Sequence, residues 1–343
     1  MKKSLTHKTL DNYSIRILPY KPGDEKFLIK LLHLTRSKTA SKQHAINFWK
    51  WKHLNNPFGK SYGIYAWDKK KRMALSLRML MRWSFISPDS RIIYALRAVD
   101  SATHPLYQRK GIFSVLTQRA LKDTSEMDIH FIFNTPNPKT SLPGYLKLGW
   151  KIVGLLDFYT YSTHKKVRKQ FSLTKGSVSW GVFYKKYKNQ INHLIKVWEN
   201  TRHGYRISKD LRYLKWRYGN CPHFEYLVYP YETNNRLSAF AILRENRRHK
   251  IKTLSIADIF LDKTESKFGA FFLNKLITEN PADRYIAYFA HGTLEQKMLF
   301  QVGFMQKPDK PNIILTVRKL AKINPSLLNL KNWDFTLGDL ELF

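Results

Sequence analysis

Cysteine, acidic residues and long apolar runs are scarce in this 343-residue sequence. The single cysteine, Cys221, has no partner for an intramolecular disulfide, and the twelve histidines lack the paired spacing of metal ligands. The sequence has no apolar run of about eighteen residues, the length that a membrane-spanning helix needs. The basic N-terminus is not followed by the apolar segment of a signal peptide. We therefore expect a cytoplasmic, globular protein without a bound metal, in which Cys221 is a bystander rather than a nucleophile.

The scarcity of acidic residues leaves a large positive charge. With 25 aspartates and glutamates against 60 lysines and arginines, the formal net charge is +35. A field of this size favours an anionic partner, such as a nucleotide-linked substrate, a nucleic acid or a lipid head group. The basic residues are dispersed, for example at 69–72, 164–169 and 244–252, so ordinary solvated faces explain them equally well.

The strongest local pattern lies at residues 95–120. An apolar run that predicts a buried strand is followed by a polar turn at 108–111 and then by apolar residues at the spacing of one helix face, namely Ile112, Val115, Leu116 and Ala120. Gly111 therefore stands at a helix start, where unpaired backbone N–H groups and the helix dipole favour an anion. The pattern predicts a phosphate-binding loop, although an ordinary strand-to-helix turn would have the same glycine.

This turn resembles the pyrophosphate-binding motif of the GNAT acyltransferase superfamily, Gln/Arg-x-x-Gly-x-Gly/Ala. Gln108 and Gly111 match the motif, whereas Phe113 stands where the family has a small residue. The family's next motif follows in the right order. It consists of a buried strand at 131–134, an asparagine-bearing turn, and a helix with the Tyr-x-x-x-Gly-aromatic pattern that begins at Tyr145.

The resemblance implies that the chain binds acetyl-CoA or a similar thioester. The loop backbone would hold the pyrophosphate, which assigns to the cofactor the residues Gln108, Arg109, Lys110, Gly111, Ile112 and Phe113. The preceding strand would hydrogen-bond the pantetheine arm around Val99, Ser101 and Thr103. Asn137, with Asn134 as the alternative, corresponds to the family's asparagine that contacts the same arm.

The reaction that the family implies is direct attack of an amine on the thioester, without a covalent enzyme intermediate. Tyr145 matches the tyrosine that protonates the departing thiolate, and a packed core tyrosine is the alternative interpretation. The amine must lose a proton, and Asp100 on the central strand or His104 just after it is the candidate general base. Both have structural alternatives, because Asp258 occupies the place of Asp100 in a second copy of the pattern and His104 precedes a proline turn.

That second copy is the other large-scale feature of the sequence. Residues 215–224 match residues 50–58, with the same Trp-to-Pro spacing, and 251–261 correspond to the central strand. Residues 262–267 lack the phosphate-loop pattern and carry two acidic residues, so we expect no acyl-CoA there. The fold class predicted is α/β (α+β), with two tandem GNAT-like domains, each a mixed, mostly antiparallel sheet flanked by helices. The expected boundaries are an acyl-CoA-binding domain at 1–162, a basic linker at 163–175, a non-catalytic domain at 176–320 and a C-terminal tail at 321–343.

The acceptor is an open question at this level. Double-domain chains of this kind resemble acyltransferases that act on amino-sugars of surface polysaccharides, and an anionic, nucleotide-linked acceptor would suit the charge. One alternative is a Fem-like transferase that draws its acyl group from aminoacyl-tRNA, although such an enzyme would not need the Gln108 loop. The other is a degenerate GNAT-fold protein that binds a polyanion. A nucleic acid is not the favoured partner, because no zinc, helix-turn-helix or RNA-recognition signature occurs.

Overall fold

The computed structural model describes residues 15–35, 42–163, 176–306 and 313–340. Its strands form two mixed, mostly antiparallel sheets, one of eight strands and one of seven, and the helices between them complete the predicted α/β (α+β) fold class. The linker expected at 163–175 lies outside the described residues from 164 onward, as do the last three residues of the expected tail.

The first half of the chain contains seven strands and four helices within the described ranges. They are β1 (Ile15–Pro19), α1 (Glu25–Thr35), α2 (Lys42–His53), β2 (Tyr62–Asp68), β3 (Met73–Ile86), β4 (Ile92–Thr103), α3 (Ile112–Ser125), β5 (Phe131–Asn134), α4 (Leu142–Lys147), β6 (Lys151–Leu156) and β7 (Tyr159–Ser162). A short 3-10 turn, Pro105–Tyr107, joins β4 to the loop that precedes α3.

The second half repeats this alternation. Its elements are β8 (Val178–Ser179), α5 (Trp180–Asn200), β9 (Arg206–Ile207), α6 (Leu211–Leu214), β10 (Leu227–Thr233), β11 (Arg236–Arg248), β12 (Ile251–Leu261), α7 (Ser266–Glu279), β13 (Arg284–Ala287), α8 (Leu294–Val302), β14 (Met305–Gln306) and β15 (Ile313–Lys319). One π-helical turn, Lys215–Gly219, extends α6.

The two sheets exchange strands relative to the order of the sequence. The first sheet runs β1-β2-β3-β4-β5-β15-β6, with β9 paired to the end of β3, and the second runs β14-β7-β13-β12-β11-β10-β8. Thus β15 pairs with β5 in the first sheet, and β7 pairs with β13 in the second. Among the described residues, the first compact unit comprises those up to 84, 93–154 and 314–328, and the second comprises the others.

The C-terminal residues also differ from the expected tail. Trp333, Phe335, Leu337 and Leu340 are each at most 2% exposed, and residues from 329 onward belong to the second unit. The apolar residues at 333, 335 and 337 alternate as in a half-buried strand, which is the local reason that this segment packs instead of remaining in solvent.

Helix α3 lies against the first sheet by the predicted face. The four residues at helical spacing are all buried, namely Ile112, Val115, Leu116 and Ala120. They belong to one cluster with Leu75, Leu96 and Ile132 of the adjacent strands. Burying aliphatic side chains of the larger kind contributes about 1.5–3 kcal/mol each, so the cluster fixes α3, and with it the loop at its N-terminus, relative to β4.

Candidate active site

Strands β4 and β5 of the first unit diverge. They pair in parallel only over residues 95–97 and 131–133, whereas β4 continues to Thr103. In the described part of the chain, β5 therefore pairs with none of the residues Val99, Ser101 and Thr103. An extended ligand can bond the backbone along such an unpaired stretch, because a strand edge presents its N–H and C=O groups in a regular row.

The loop at the end of this gap has the geometry of an anion site. Gly111 caps α3 with a φ of 81° and a ψ of −3°, a left-handed conformation that glycine adopts without steric cost. Arg109 is also left-handed, with a φ of 60°. Among the described residues, no acceptor bonds the backbone N–H groups of residues 109–114, and Val115 is the first to donate into the helix, to the carbonyl of Gly111. These donors and the helix dipole together favour a phosphate.

The side chains of the loop have two kinds of role: one stabilises the loop, and others supply positive charge. Gln108 Nε2 donates to the carbonyl of Thr103 at 3.2 Å, so this side chain ties the loop back to β4. Lys110 and Lys71 both lie against the ring of Tyr107, with Nζ atoms 4.9 and 5.2 Å from its centroid. Lys71 also donates to Tyr107 Oη at 2.7 Å, and this bond raises the pKa of the lysine. Long-range attraction for an anion thus comes from lysines on both sides of Tyr107.

Tyr145 lies in α4 and is 4% exposed. Its ring packs edge-on against Trp150 and against Phe113, whose centroid is 5.8 Å away. Phe113, the departure from the family motif, therefore packs against the tyrosine of the second motif. The fully buried Arg78 of β3 donates from Nη1 to Tyr145 Oη at 2.5 Å and to Ser101 Oγ at 2.7 Å. One guanidinium thus joins the tyrosine to the unpaired part of β4.

Asp100 belongs to a buried polar cluster. Its φ of 41° is costly for a non-glycine residue, and the carboxylate that this conformation turns inward is held by two partners. Lys52 Nζ and His53 Nε2 each lie 2.9 Å from Asp100 Oδ2, and His53 Nδ1 lies 2.9 Å from Ser61 Oγ. The side chains of the Lys–His–Asp group are at most 6% exposed. The cluster braces α2 against β4.

The remaining predicted side chains make structural hydrogen bonds within the protein. His104 caps the 3-10 turn, with Nδ1 accepting from the N–H of Leu106 at 3.3 Å, which is the structural alternative expected for it. Asn137 Oδ1 accepts from the N–H groups of the next residues, 139 and 140, at 3.0 and 3.1 Å. Asn134 is buried, and its Oδ1 accepts from Thr316 Oγ1 at 2.5 Å. The structure therefore gathers Tyr145, the loop and β4 in one place but turns both asparagine oxygens elsewhere.

Three residues of this site carry a signal that the sequence interpretation passed over. Lys52 and His53 lie in the repeated segment, where Trp51 and Trp216 are matched, so His53 corresponds to Tyr218. In the second unit Tyr218 Oη donates to Asp258, just as His53 bonds Asp100. Arg78 is flanked by apolar residues on both sides in a largely buried strand, and a charged residue in such a place is expected to be paired or functional.

The corresponding gap in the second unit is filled. Strands β12 and β13 pair only as far as Ile256 and Ala287, yet β12 continues to Leu261. Residues 335–337 bond the backbone of 288–290, through Ala290 N–H to Phe335 at 3.0 Å and Leu337 N–H to Tyr288 at 2.8 Å. The filling segment therefore lies along the residues that follow β13, on the side of the gap opposite to β12.

Buried charges anchor that filling segment. Lys209 Nζ lies 2.6 Å from Asp258 Oδ1 and 2.8 Å from Asp339 Oδ1, and it donates to Thr336 Oγ1 at 2.9 Å. Burial raises the pKa of Asp339 against the opposing effect of Lys209. Gly338 has no room for a side chain, because a Cβ would clash with Tyr218 Oη and Asp258 Oδ2. Helix α7 begins after Glu265 without a glycine loop.

Within the described ranges, no helix is long and apolar enough to span a membrane, and no group of three or more histidine, cysteine, aspartate or glutamate residues could hold a metal ion. No protein-family model matches the sequence, and no curated protein is detectably similar to it.

Several solved structures have a similar fold. Their sequence identities to this chain are so low that the similarity shows the fold alone. A conserved protein of unknown function from Enterococcus faecalis V583 is 13% identical, with a TM-score of 0.64 over 90% of this chain and 72% of that one. A GCN5-related N-acetyltransferase from Anabaena variabilis is 12% identical, with a TM-score of 0.63 over 89% and 73%. The Saccharomyces cerevisiae N-myristoyltransferase with bound myristoyl-CoA is 11% identical, with a TM-score of 0.59 over 94% and 82%.

Proposed function

Because this chain has the GCN5-related N-acetyltransferase (GNAT) fold in two copies, we propose that it is an acyl-CoA-dependent N-acyltransferase with its single active site in the first unit. One observation carries the proposal. The gap beside β4 leads to backbone N–H groups near Gly111 that have no acceptor among the described residues, whereas the equivalent gap of the second unit is occupied by residues 335–337. The second unit on this account binds no acyl-CoA.

The proposed cofactor lies along β4 with its pyrophosphate on the loop. The backbone N–H groups at 109–113 hold the phosphate oxygens, and the lysines at 71 and 110 attract them. The backbone around Val99, Ser101 and Thr103 bonds the pantetheine arm in the manner of an added strand. Asn137 Oδ1 stabilises its own turn and Asn134 Oδ1 accepts from Thr316, so the backbone of β4 rather than these two oxygens bonds the arm in this proposal.

The proposed reaction transfers an acyl group, acetyl in the simplest case, directly to an amine. The free amine attacks the thioester carbonyl, the C–S bond breaks, and Tyr145 gives its phenolic proton to the departing thiolate. Burial of Tyr145 and its proximity to the β4 gap support this role. His104 shapes the loop, and Asp100 is a brace, because its carboxylate is already neutralised by Lys52 and corresponds to the structural Asp258. The amine's proton then leaves through water.

The proposed acceptor is an anionic amine, with a nucleotide-linked amino-sugar as the leading class. The net charge of +35 supports an anionic acceptor, because it raises the local concentration of negatively charged substrates. Removal of a single phosphate from the acceptor should therefore weaken its capture, and raised salt should have the same effect.

The test is thiol release from acetyl-CoA with a panel of nucleotide-linked amino-sugars, free amino-sugars, peptides and simple amines. We expect release that depends on an amine, is strongest with the anionic members of the panel, and falls about 100-fold or more in Tyr145→Phe. Tyr94→Phe is the matched control, because this tyrosine is 41% exposed. Release with free amines alone would reject the acceptor class. Absence of acetyl-CoA binding, together with tight and salt-sensitive binding of aminoacyl-tRNA, would instead favour the Fem-like alternative.

A further inference from the structure

Arg78 is a buried cation to which the described residues supply no counter-ion. Its side chain is 0% exposed, and no carboxylate forms an ion pair with it in the described part of the chain. Nη1 makes two hydrogen bonds, to Tyr145 Oη and Ser101 Oγ, whereas Nε and Nη2 are buried and have no partner among the described residues. A buried charge that no carboxylate of the described residues compensates is expensive.

The aromatic rings around Arg78 explain how the guanidinium is tolerated. It lies 5.2 Å from the ring centroid of Phe113 and 4.9 Å from that of Tyr145, both within the range of cation–π attraction. Phe113 thus has a purpose that the small residue of the family motif could not serve. Such contacts stabilise a cation less than a carboxylate does, so the site is poised to gain free energy when negative charge appears beside Arg78.

Arg78 Nη1 donates hydrogen bonds to Ser101 Oγ and Tyr145 Oη, and of these two acceptors the phenol of Tyr145 can develop a full negative charge. Ser101 Oγ is a hydroxyl that remains neutral at physiological pH, and the phenol becomes a phenolate as soon as it gives up its proton. Arg78 already donates to Tyr145 Oη, which occupies one lone pair and leaves the phenolic proton to be directed elsewhere.

We propose that Arg78 is the positioning residue that makes Tyr145 an acid, by fixing the direction of its proton and by stabilising the phenolate that remains. The proposal rests on the function proposed above. When the C–S bond breaks, its electron pair goes to sulfur, the Tyr145 proton forms the new S–H bond, and the O–H electron pair stays on the phenolate beside Arg78. Water later returns a proton to the phenolate.

A double-mutant cycle between Arg78 and Tyr145 tests this link. Arg78→Met should lower kcat about 100-fold in the parent protein, as loss of one preorganised donor does, while the Kd for CoA stays within about twofold. In Tyr145→Phe the same substitution should have almost no further effect, because the phenolate no longer forms. Arg78→Lys, which keeps the charge and one donor, should recover at least about tenfold over the methionine variant.

Stability provides the second readout. Because Met replaces an uncompensated charge by an apolar chain of similar length, Arg78→Met should unfold at the parent temperature or above it. Arg82→Met is the matched control, since it changes the same residue type four positions along the same strand and should leave kcat unchanged. If the methionine variant fails to fold, the cycle is run with Arg78→Lys.

The outcomes separate the two levels of the proposal. Turnover in the parent protein, combined with equal losses from Arg78→Met in both Tyr145 backgrounds, would overturn the role of Arg78 and leave the enzyme intact. A marked fall in unfolding temperature with unchanged kcat would do the same and make Arg78 a structural residue. If the parent protein neither binds CoA nor turns over substrate, the proposed function itself is overturned.

Discussion

The loop at Gly111 offers the sharpest test of the phosphate site, through the pair Gly111→Asp and Gly111→Asn. Both side chains tolerate the left-handed conformation at φ 81° better than other residues, and both are good helix N-caps. Folding should therefore be preserved in each variant. The two side chains have almost the same shape, so any difference in ligand binding isolates the effect of one negative charge.

The size of that effect follows from the position of the loop. Gly111 is partly exposed, so a dielectric near that of water applies. Two like unit charges 4 Å apart in water repel by about 1 kcal/mol. A pyrophosphate carries two negative charges near position 111, so the aspartate carboxylate of Gly111→Asp should be repelled by about 2 kcal/mol in total. Since every 1.4 kcal/mol is a factor of about ten, CoA should bind Gly111→Asp about 30-fold more weakly than Gly111→Asn.

Calorimetric titration with CoA at low and at raised ionic strength measures this difference. The account expects about one site per chain in the parent protein, a modest loss in Gly111→Asn and a much larger one in Gly111→Asp. The difference in CoA affinity between the two variants should become smaller as salt screens the partly exposed charges. Equal affinities of the two variants for CoA would refute the placement of the pyrophosphate at this helix N-terminus.

Three further predictions concern the tyrosine, the brace and the filled gap. Tyr145→Phe should lower kcat by about 100-fold or more without changing the Kd for CoA, measured by thiol release and calorimetry, and an unchanged kcat would exclude it as the acid. Asp100→Asn removes the negative charge from the buried Lys52–Asp100 ion pair and should cost about 3–5 kcal/mol in urea unfolding, whereas a large rate loss at parental stability would instead make Asp100 the general base. Gly338→Ala forces a Cβ against Tyr218 and should cost about 1–3 kcal/mol without creating a second CoA site, which a stoichiometry of two would contradict.

The parts of the fold that follow local rules could be predicted. The period of Ile112, Val115, Leu116 and Ala120 reports directly which helix face is buried, and Gly111 marks the helix start, because both depend on a few neighbouring residues. The two copies were visible for the same reason, since a Trp-to-Pro spacing survives in each.

The sequence pattern could not predict which sheet β7 and β15 join. The residues of β7 and β15 look like ordinary strand residues, and nothing local in Tyr159–Ser162 or Ile313–Lys319 specifies which sheet each joins. That choice depends on side-chain contacts with residues more than a hundred positions away, such as the bond of Thr316 to Asn134.

The candidate site could be located only in part, for a comparable reason. Motifs indicated Tyr145 and the loop, whose roles stay predictions, but the hydrogen-bond partners Lys52, His53 and Arg78 are separated from Asp100 and Tyr145 by 47 to 67 positions. Arg78 and Lys52 could have been flagged, because a charged residue in an apolar or aromatic context requires a compensating partner. The identity of that partner required the fold.

Hydrogen–deuterium exchange with and without CoA tests the central claim most directly, because it reports on both copies of the gap in one experiment. The account predicts that CoA slows exchange at residues 99–103 and 109–114, whose backbone groups would bond the ligand, and leaves 257–261 and 335–337 of the second unit unchanged. Protection of the second unit's segments, or none at the first unit's loop, would contradict it.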